Sequence, residues 1–528
     1  MTCGSSKSFS NRSDGRRRVA RQHPLRGIAD IPPSHYTGNE ATGSSQAFFL
    51  HRSDVKQYKR LDRKTDLTAR KDIPPELTFL GATGTVTGSK SLLTVGDRKI
   101  LIDCGLFQGF KQLRLRNWEL LPVEPREIDA VLLTHAHLDH SGYIPLLVRD
   151  GFAGKVYCTP ATRDLCRILL PDSGYLQEED AAYANRHHFS KHDPALPLYT
   201  REDAERSLHS FRTVAFGKEF DLGEGLTFQF IPSGHLLGAA LTRLQRNGTS
   251  LLFSGDLGRP NDLLMAPPSV IRKADYLIVE STYGDRPHDP DDPKKKLAEI
   301  INRTAARGGV VVIPAFAIGR AQTLLYAIHL LKEERAIPDL PVFLNSPMAI
   351  EATGLYYEHL GEHRLDEAQC RAMARAATLV HTVEDSKRVN ALREPMVLIS
   401  ASGMATGGRV LHHLKTFAPD ERNTILFAGY QAGGTRGAAM AAGAKTIKIH
   451  GEYIPVRAEV IALDQFSAHA DADEILDWLG RFETPPRETF ITHGEPSAAD
   501  ALRHRIEEKL HWRCRVPDYL ETVHLENT

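Results

Sequence analysis

The segment Thr134-His135-Ala136-His137-Leu138-Asp139-His140 places four potential metal ligands within six residues. In an extended chain, alternate side chains point the same way. His135 and His137 can therefore aim at one point, and Asp139 and His140 at an adjacent one. A single tetrahedral ion cannot comfortably take all four, so the spacing calls for two metals. Imidazole nitrogen with carboxylate oxygen suits zinc, and manganese or iron is compatible with the same set. The competing reading is a solvated histidine cluster. The apolar run Ala130–Leu133 directly before it argues against that. Composition points the same way, with 24 His against 6 Cys and no CxxC pair. Neither a thiolate zinc finger nor a disulfide framework is indicated.

Such ligands need rigid elements to aim them. A chain of 528 residues is too long for one domain. Strands are expected at Leu77–Leu80, Ser91–Val95 and Lys99–Asp103, with Gly96-Asp97 as a hairpin turn. Ala130–Leu133 runs straight into the His-rich loop. Leu226–Ile231 and Ser250–Phe253 also end in polar segments carrying Gly, His or Asp. From about residue 285 strand and helix alternate: Val310–Ile313, Arg320–Lys332, Pro341–Leu344, Ala349–Leu360, Met396–Ile399, Arg409–Phe417 and Thr424–Phe427. That rhythm predicts a separate α/β domain built on a parallel, doubly wound sheet. Near residue 455 strand-like segments resume, at Ala458–Leu463 and Thr489–Thr492, with a helix over Ala472–Leu479 between them.

Charge is unevenly spread. Lys+Arg and Asp+Glu are equal at 66 each. This excludes a uniformly basic nucleic-acid coat and an acidic disordered chain. Residues 1–72 hold 15 Lys/Arg against 7 Asp/Glu, a net of +8, so residues 73–528 carry −8. The plain reading of 1–72 is a solvated, disordered basic tail. The sharper one is an electrostatic arm for RNA. No apolar run approaches the roughly 18 residues of a membrane span, and the N-terminus lacks the apolar core of a secretory signal. With unpaired cysteines, a cytoplasmic protein without a membrane partner is expected.

The His-x-His-x-Asp-His pattern resembles the metallo-β-lactamase superfamily, and further motifs follow in that family's order. Leu101-Ile102-Asp103-Cys104-Gly105 matches its early strand-ending Asp, Pro232-Ser233-Gly234-His235 its next ligand, and Phe253-Ser254-Gly255-Asp256 its bridging Asp. Three more motifs resemble the β-CASP nucleases: Glu280 in Val279-Glu280-Ser281-Thr282-Tyr283-Gly284, His469 in Phe466-Ser467-Ala468-His469, and His493 in Thr492-His493-Gly494. His450, in Ile449-His450-Gly451, imitates the last motif, but His493 follows His469 and a fresh strand. The resemblance spans about 76–520 and is nearest to bacterial relatives of the pre-mRNA 3′-end cleavage endonuclease. Leu176–Thr200 also looks like that subgroup. The short stretch after His493 argues against the RNase J subgroup, and the presence of His493 favours RNA over DNA.

The implied fold is α/β, a metallo-β-lactamase αββα sandwich interrupted by a doubly wound β-CASP domain. Its parts would be 1–72 as tail, 73–284 as the first part of the core, 285–454 as the β-CASP domain, and 455–528 as the returning core with an RNA-specificity motif. The implied cofactors are two zinc ions, with manganese as the substitute. His135, His137, His235 and Asp256 would hold one, and Asp139, His140, Asp256 and His493 the other, with Asp103 orienting them. Asp139, Glu280 and His469 would carry catalysis, His469 as general acid and Glu280 as its partner. The implied activity is hydrolysis of single-stranded RNA, as an endo- or 5′-exoribonuclease in RNA processing or decay; a homodimer is implied by resemblance alone.

A nuclease must also grip the backbone. Three Gly- and Arg-bearing strand-to-helix turns offer amide donors and close approach. They supply Arg320; Ser402, Gly403, Thr406 and Arg409; and Thr435 and Arg436 as phosphate-binding candidates. Asn345 stands where the family often has Asp. Two other classes remain for comparison. A non-catalytic RNA-binding relative would lose metal ligands, and none is lost here. A lactamase- or thioesterase-like hydrolase would lack the insert and the Glu280/His469 pair.

Overall fold

The computed structural model describes residues 74–526 apart from Phe189. The basic tail expected over 1–72 therefore lies outside the described residues. Two seven-stranded sheets face each other. The first runs in the order Thr522–His524, Glu76–Phe79, Ser91–Val95, Arg98–Ile102, Ala130–Leu132, Lys155–Cys158 and Phe211–Thr213. The second runs Cys514–Arg515, Glu488–Thr492, Tyr276–Glu280, Thr249–Phe253, Ala240–Arg246, Leu226–Pro232 and Glu219–Gly223. Their inner faces meet through Leu77, Phe79, Ile100, Phe228, Phe230, Phe253 and Phe490. The outer face of the second sheet is covered by helices Ala472–Leu479 and Pro496–Leu510 through Ile475, Leu479, Leu502 and Ile506. Helix Ile144–Arg149 and the long helix Pro160–Arg186 contribute to the cluster on the other side. This is the expected αββα arrangement.

The Gly96-Asp97 turn joins its two strands with Val95 opposite Arg98. Parallel pairing then brings motif-bearing strand ends level. Ile102 lies beside Leu132, Phe253 beside Ile278, and Glu280 beside Thr492. Asp103, His135, Asp256, Glu280 and His493 thus emerge on one edge of the sandwich.

The inserted unit is a six-stranded, all-parallel sheet in the order Thr378–Leu379, Val342–Asn345, Met396–Ser400, Val310–Pro314, Thr424–Phe427 and Glu459–Ala462. It is doubly wound, as the alternation predicted. One reading needs correction. The strand expected at Ala458–Leu463 as the start of the returning core is Glu459–Ala462, and it pairs with Thr424–Phe427 at the edge of the inserted sheet. Its parallel register, Thr424 opposite Glu459, keeps it there. The chain re-enters the sandwich only after it. The 27-residue helix Pro160–Arg186 was also not expected, because Pro171 interrupts its sequence pattern.

Candidate metal centre and cleft

His135, His235, Asp256 and His493 sit just past strand ends, and Asp139 and His140 lie in the short helix Leu138–Ser141 that follows the first of them. Gly234 (φ +72°) precedes His235, and a Cβ there would lie 2.4 Å from the Ala266 carbonyl oxygen. Gly255 (φ +51°) precedes Asp256, where a Cβ would come 2.9 Å from Thr134 Cβ. His493 itself has φ +51°.

The side chains converge around Asp256, which is 2% exposed. Its two oxygens face different neighbours. Oδ2 lies 3.3 Å from His135 Nε2 and 3.4 Å from His235 Nε2. Oδ1 lies 3.2 Å from His140 Nε2 and 3.6 Å from His493 Nδ1. His137 Nδ1 is 3.3 Å from His235 Nε2, and His140 Nε2 is 3.1 Å from His493 Nε2. Asp139 Oδ2 is 3.5 Å from His493 Nε2. Ligand atoms of His135, His137, His235 and Asp256 all lie within 4.8 Å of one another, as do those of Asp139, His140 and His493.

Outer partners orient the rings. Asp103 accepts from Thr134 N at 2.8 Å and from His140 Nδ1 at 2.7 Å. A carboxylate only accepts, so His140 turns Nε2 inward. Thr134 Oγ1 donates to Asp103 and lies 3.1 Å from His135 Nδ1. Thr282 Oγ1 lies 3.1 Å from His493 Nδ1 and donates to Glu280 Oε2 at 2.5 Å.

The donor set fits divalent cations. His135 Nε2, His137 Nε2, His235 Nδ1 and Asp256 Oδ1 are buried without a hydrogen-bond partner among the described residues. Such atoms are costly to bury unless something binds them. Burial pushes His137 down to about 3 and holds His135 and His235 below the ordinary imidazole range. A metal needs these rings neutral. Burial opposes ionisation of Asp256, but the surrounding imidazoles outweigh it and hold its carboxyl well below the usual range.

At the edge of this cluster, His469 Nδ1 lies 3.1 Å from Glu280 Oε2. Burial disfavours the His469 cation. The Glu280 and Asp256 carboxylates reverse that and raise it to about 9. Glu280 also accepts from Leu257 N at 2.6 Å.

Sequence reasoning missed the support of this loop. His288 Nε2 donates to the His469 carbonyl at 3.0 Å, and its backbone N donates to Asp471 Oδ2 at 2.6 Å. Asp471 and Glu474 form a capping box on helix Ala472–Leu479, and Arg259 pairs with Glu474 at 3.1 Å. His288, Asp471 and Glu474 are close enough to hold an ion. Their carboxylates are already taken by backbone amides and Arg259, which makes the group a structural lock. The Asp-x-x-Glu spacing was the one legible signal.

A cleft of about 1580 Å³ joins the centre to the inserted unit. Arg320, Ser402, Gly403, Thr406, Arg409, Thr435 and Arg436 all line it, together with His137, Asp139, Asp256, His469 and His493. Their polar atoms are less available than the turns suggested. Arg409 donates to Asn345 Oδ1 at 2.9 Å, Val380 O at 3.0 Å and His381 O at 2.8 Å. Arg436 donates to Lys448 O at 2.7 Å and Thr406 O at 3.0 Å. Thr435 caps its own helix. Arg320 is buried, with Nε lacking a partner. Asn345 braces Arg409, Ser386 and His413. His450 lines the cleft but lies outside the ligand groups.

Known families and relatives agree with this architecture. Residues 84–313 match the metallo-beta-lactamase superfamily, 321–440 the Beta-Casp domain, and 453–517 the Zn-dependent metallo-hydrolase RNA specificity domain. The chain is 40% identical over 430 residues to Ribonuclease TTHA0252 of Thermus thermophilus, covering 80% of this chain and 94% of that protein. It is 32% identical over 474 residues to transcription termination factor FttA of Methanosarcina mazei, covering 86% of this chain and 72% of that protein. The chain belongs to the β-CASP branch of the metallo-β-lactamase superfamily, a family of metallo-hydrolases.

Proposed function

We propose that this chain is a two-metal ribonuclease that hydrolyses phosphodiester bonds of single-stranded RNA in RNA processing or decay. The observation that carries this reading is the division of Asp256 between two ligand groups, at the floor of a cleft walled by the inserted unit. His135, His137, His235 and Asp256 would hold one zinc ion, and Asp139, His140, Asp256 and His493 the other, with manganese as the substitute. When bound, the ions supply a water activated at neutral pH and neutralise phosphate charge. The sharing of Asp256, the neutral His135, His137 and His235 rings and their unpartnered nitrogens support this assignment.

The chain's own residues do the rest. Asp103 fixes the His140 ring, and Asp139 stays ionised beside His140 and His493. His469, protonated on both nitrogens, keeps Nδ1–H on Glu280 and offers its other proton to the leaving ribose oxygen. Glu280 stabilises that imidazolium. The phosphate backbone lies along the Gly-bearing turns of the insert. Their Gly403 and Gly434 positions approach Phe316 and Phe110 closely, where a Cβ would meet atoms at 2.7 and 2.8 Å. We divide the sandwich from the insert near residue 285 and return it after Ala462.

Digestion of circular and of linear 5′-monophosphorylated single-stranded RNA tests the reading. Metal-dependent cleavage of the circle is expected for an endonuclease, and metal-dependent trimming of the linear RNA alone for a 5′-exonuclease. Cleavage that persists after chelation and in His469→Ala would overturn the mechanism.

A further inference from the structure

One element lining the cleft has no role in the chemistry above. Helix Lys111–Arg116 has no buried residue. Around it, Phe110 is 46% exposed, Leu115 50% and Trp118 59%. Exposed apolar side chains clustered this closely on a globular surface mark a binding site. The segment is nevertheless firmly anchored. Buried Asn117 donates to the Phe107 carbonyl at 2.8 Å and accepts from Phe107 N at 2.9 Å. The Arg116 guanidinium lies 4.1 Å from the centre of the Tyr519 ring. Phe110 packs against the insert, so closely that a Cβ on Gly433 would lie 2.5 Å from its ring. The element is thus held on one side and free on the other, where Lys111, Arg114, Leu115 and Trp118 line the same cleft as Asp139 and His469.

Charge selects the occupant. The helix carries no acid in its first turn, and Arg114 and Arg116 in its last. Among the described residues neither Lys111 nor Arg114 forms an ion pair, whereas Arg409 and Arg436 are committed to backbone carbonyls. Lys111 and Arg114 are thus cations of the cleft without an ion pair among the described residues, and they sit next to an exposed indole. A cationic groove with an aromatic platform is the recognition chemistry of single-stranded nucleic acid, and stacking tolerates any base.

We infer that Trp118 is a base-stacking platform, with Lys111 and Arg114 as its phosphate contacts, holding the RNA strand at a subsite away from the scissile bond. This rests on the ribonuclease reading and adds a specific grip to it.

The chain offers its own reporter. It has three tryptophans; Trp478 and Trp512 are 6% and 7% exposed, both in the core. Titrating the metal-loaded His469→Ala protein with oligouridylate should quench emission, and the same titration in H469A carrying W118L should not. In the otherwise wild-type enzyme, W118L should raise KM for oligouridylate about tenfold, with kcat unchanged, and W118F should recover most of the loss. K111S/R114S should lower the slope of log affinity against log salt by about 1.4, at about 0.7 per phosphate contact on a single strand. Equal quenching with and without Trp118, or an unchanged KM in W118L, overturns the inference while wild-type cleavage of RNA stands. A shift of oligomeric state in W118L with KM unchanged would assign the patch to protein contact and also overturn it. If the wild-type protein cleaves no RNA, the ribonuclease reading itself falls.

Discussion

His469 and Asp103 act on this centre at different distances. His469→Ala removes the proposed proton donor and none of the proposed ligands. A fall in kcat of about 10²–10⁴-fold with normal metal content is expected from single-turnover assays and elemental analysis. Asp103→Asn replaces an acceptor of the His140 Nδ1 proton with an amide that can also donate. Metal affinity should fall by about 10–100-fold in chelator competition. Lys90 is a third case, buried at 2% exposure with its ammonium 4.6 Å from the centre of the Phe107 ring. Burial lowers it to about 8, against 10.5 when unfolded. Because the folded value is the lower one, the unfolded state binds more protons between those two values. The charge therefore destabilises the fold in full below pH 8, by about 3 kcal/mol. That penalty is relieved as pH rises toward 10.5. Urea unfolding should show stability rising across this window relative to Lys90→Met, which should be at least as stable as wild type at pH 7.

At the scale of elements, precision depends on how loops are tied to strands. The loop bearing His469 is clamped by His288 from one side and by Arg259 through Gln465 O and Glu474 from the other. His288→Ala should leave metal content intact yet lower kcat by about tenfold, because the proposed general acid His469 would lose its fixed position. Gly494→Ala should do the opposite. A Cβ there would fall 2.1 Å from Ser281 Oγ, displacing His493 and lowering the metal-to-protein ratio. The elements themselves were largely legible. The Gly96-Asp97 hairpin and the Thr424–Phe427 strand match their expected bounds, because turn chemistry and short β-branched runs are local signals. The ligand positions were readable as spacing in the chain and as resemblance. The allegiance of Glu459–Ala462 was not, since a strand's sheet is chosen by pairing partners distant in sequence. The backbone partners of the Arg409 and Arg436 guanidiniums were hidden for a related reason. Only the folded backbone reveals which carbonyls they meet.

For the whole molecule, the two sheets and the insert meet at the candidate metal centre. Because ligands come from both sheets, bound metal should stabilise the fold by mass action, about 4 kcal/mol at a thousandfold excess over Kd. Calorimetry before and after EDTA should show a lower Tm for the stripped protein, restored by zinc. The pairing of Tyr276–Glu280 with Glu488–Thr492 bridges the entire inserted unit. His493 follows that second strand, so the group with Asp139 and His140 stays open until late in the chain. A translating ribosome therefore releases the first ligand group long before the second can close. A chain cut anywhere between Asp256 and His493 would carry the first ligand group without the second.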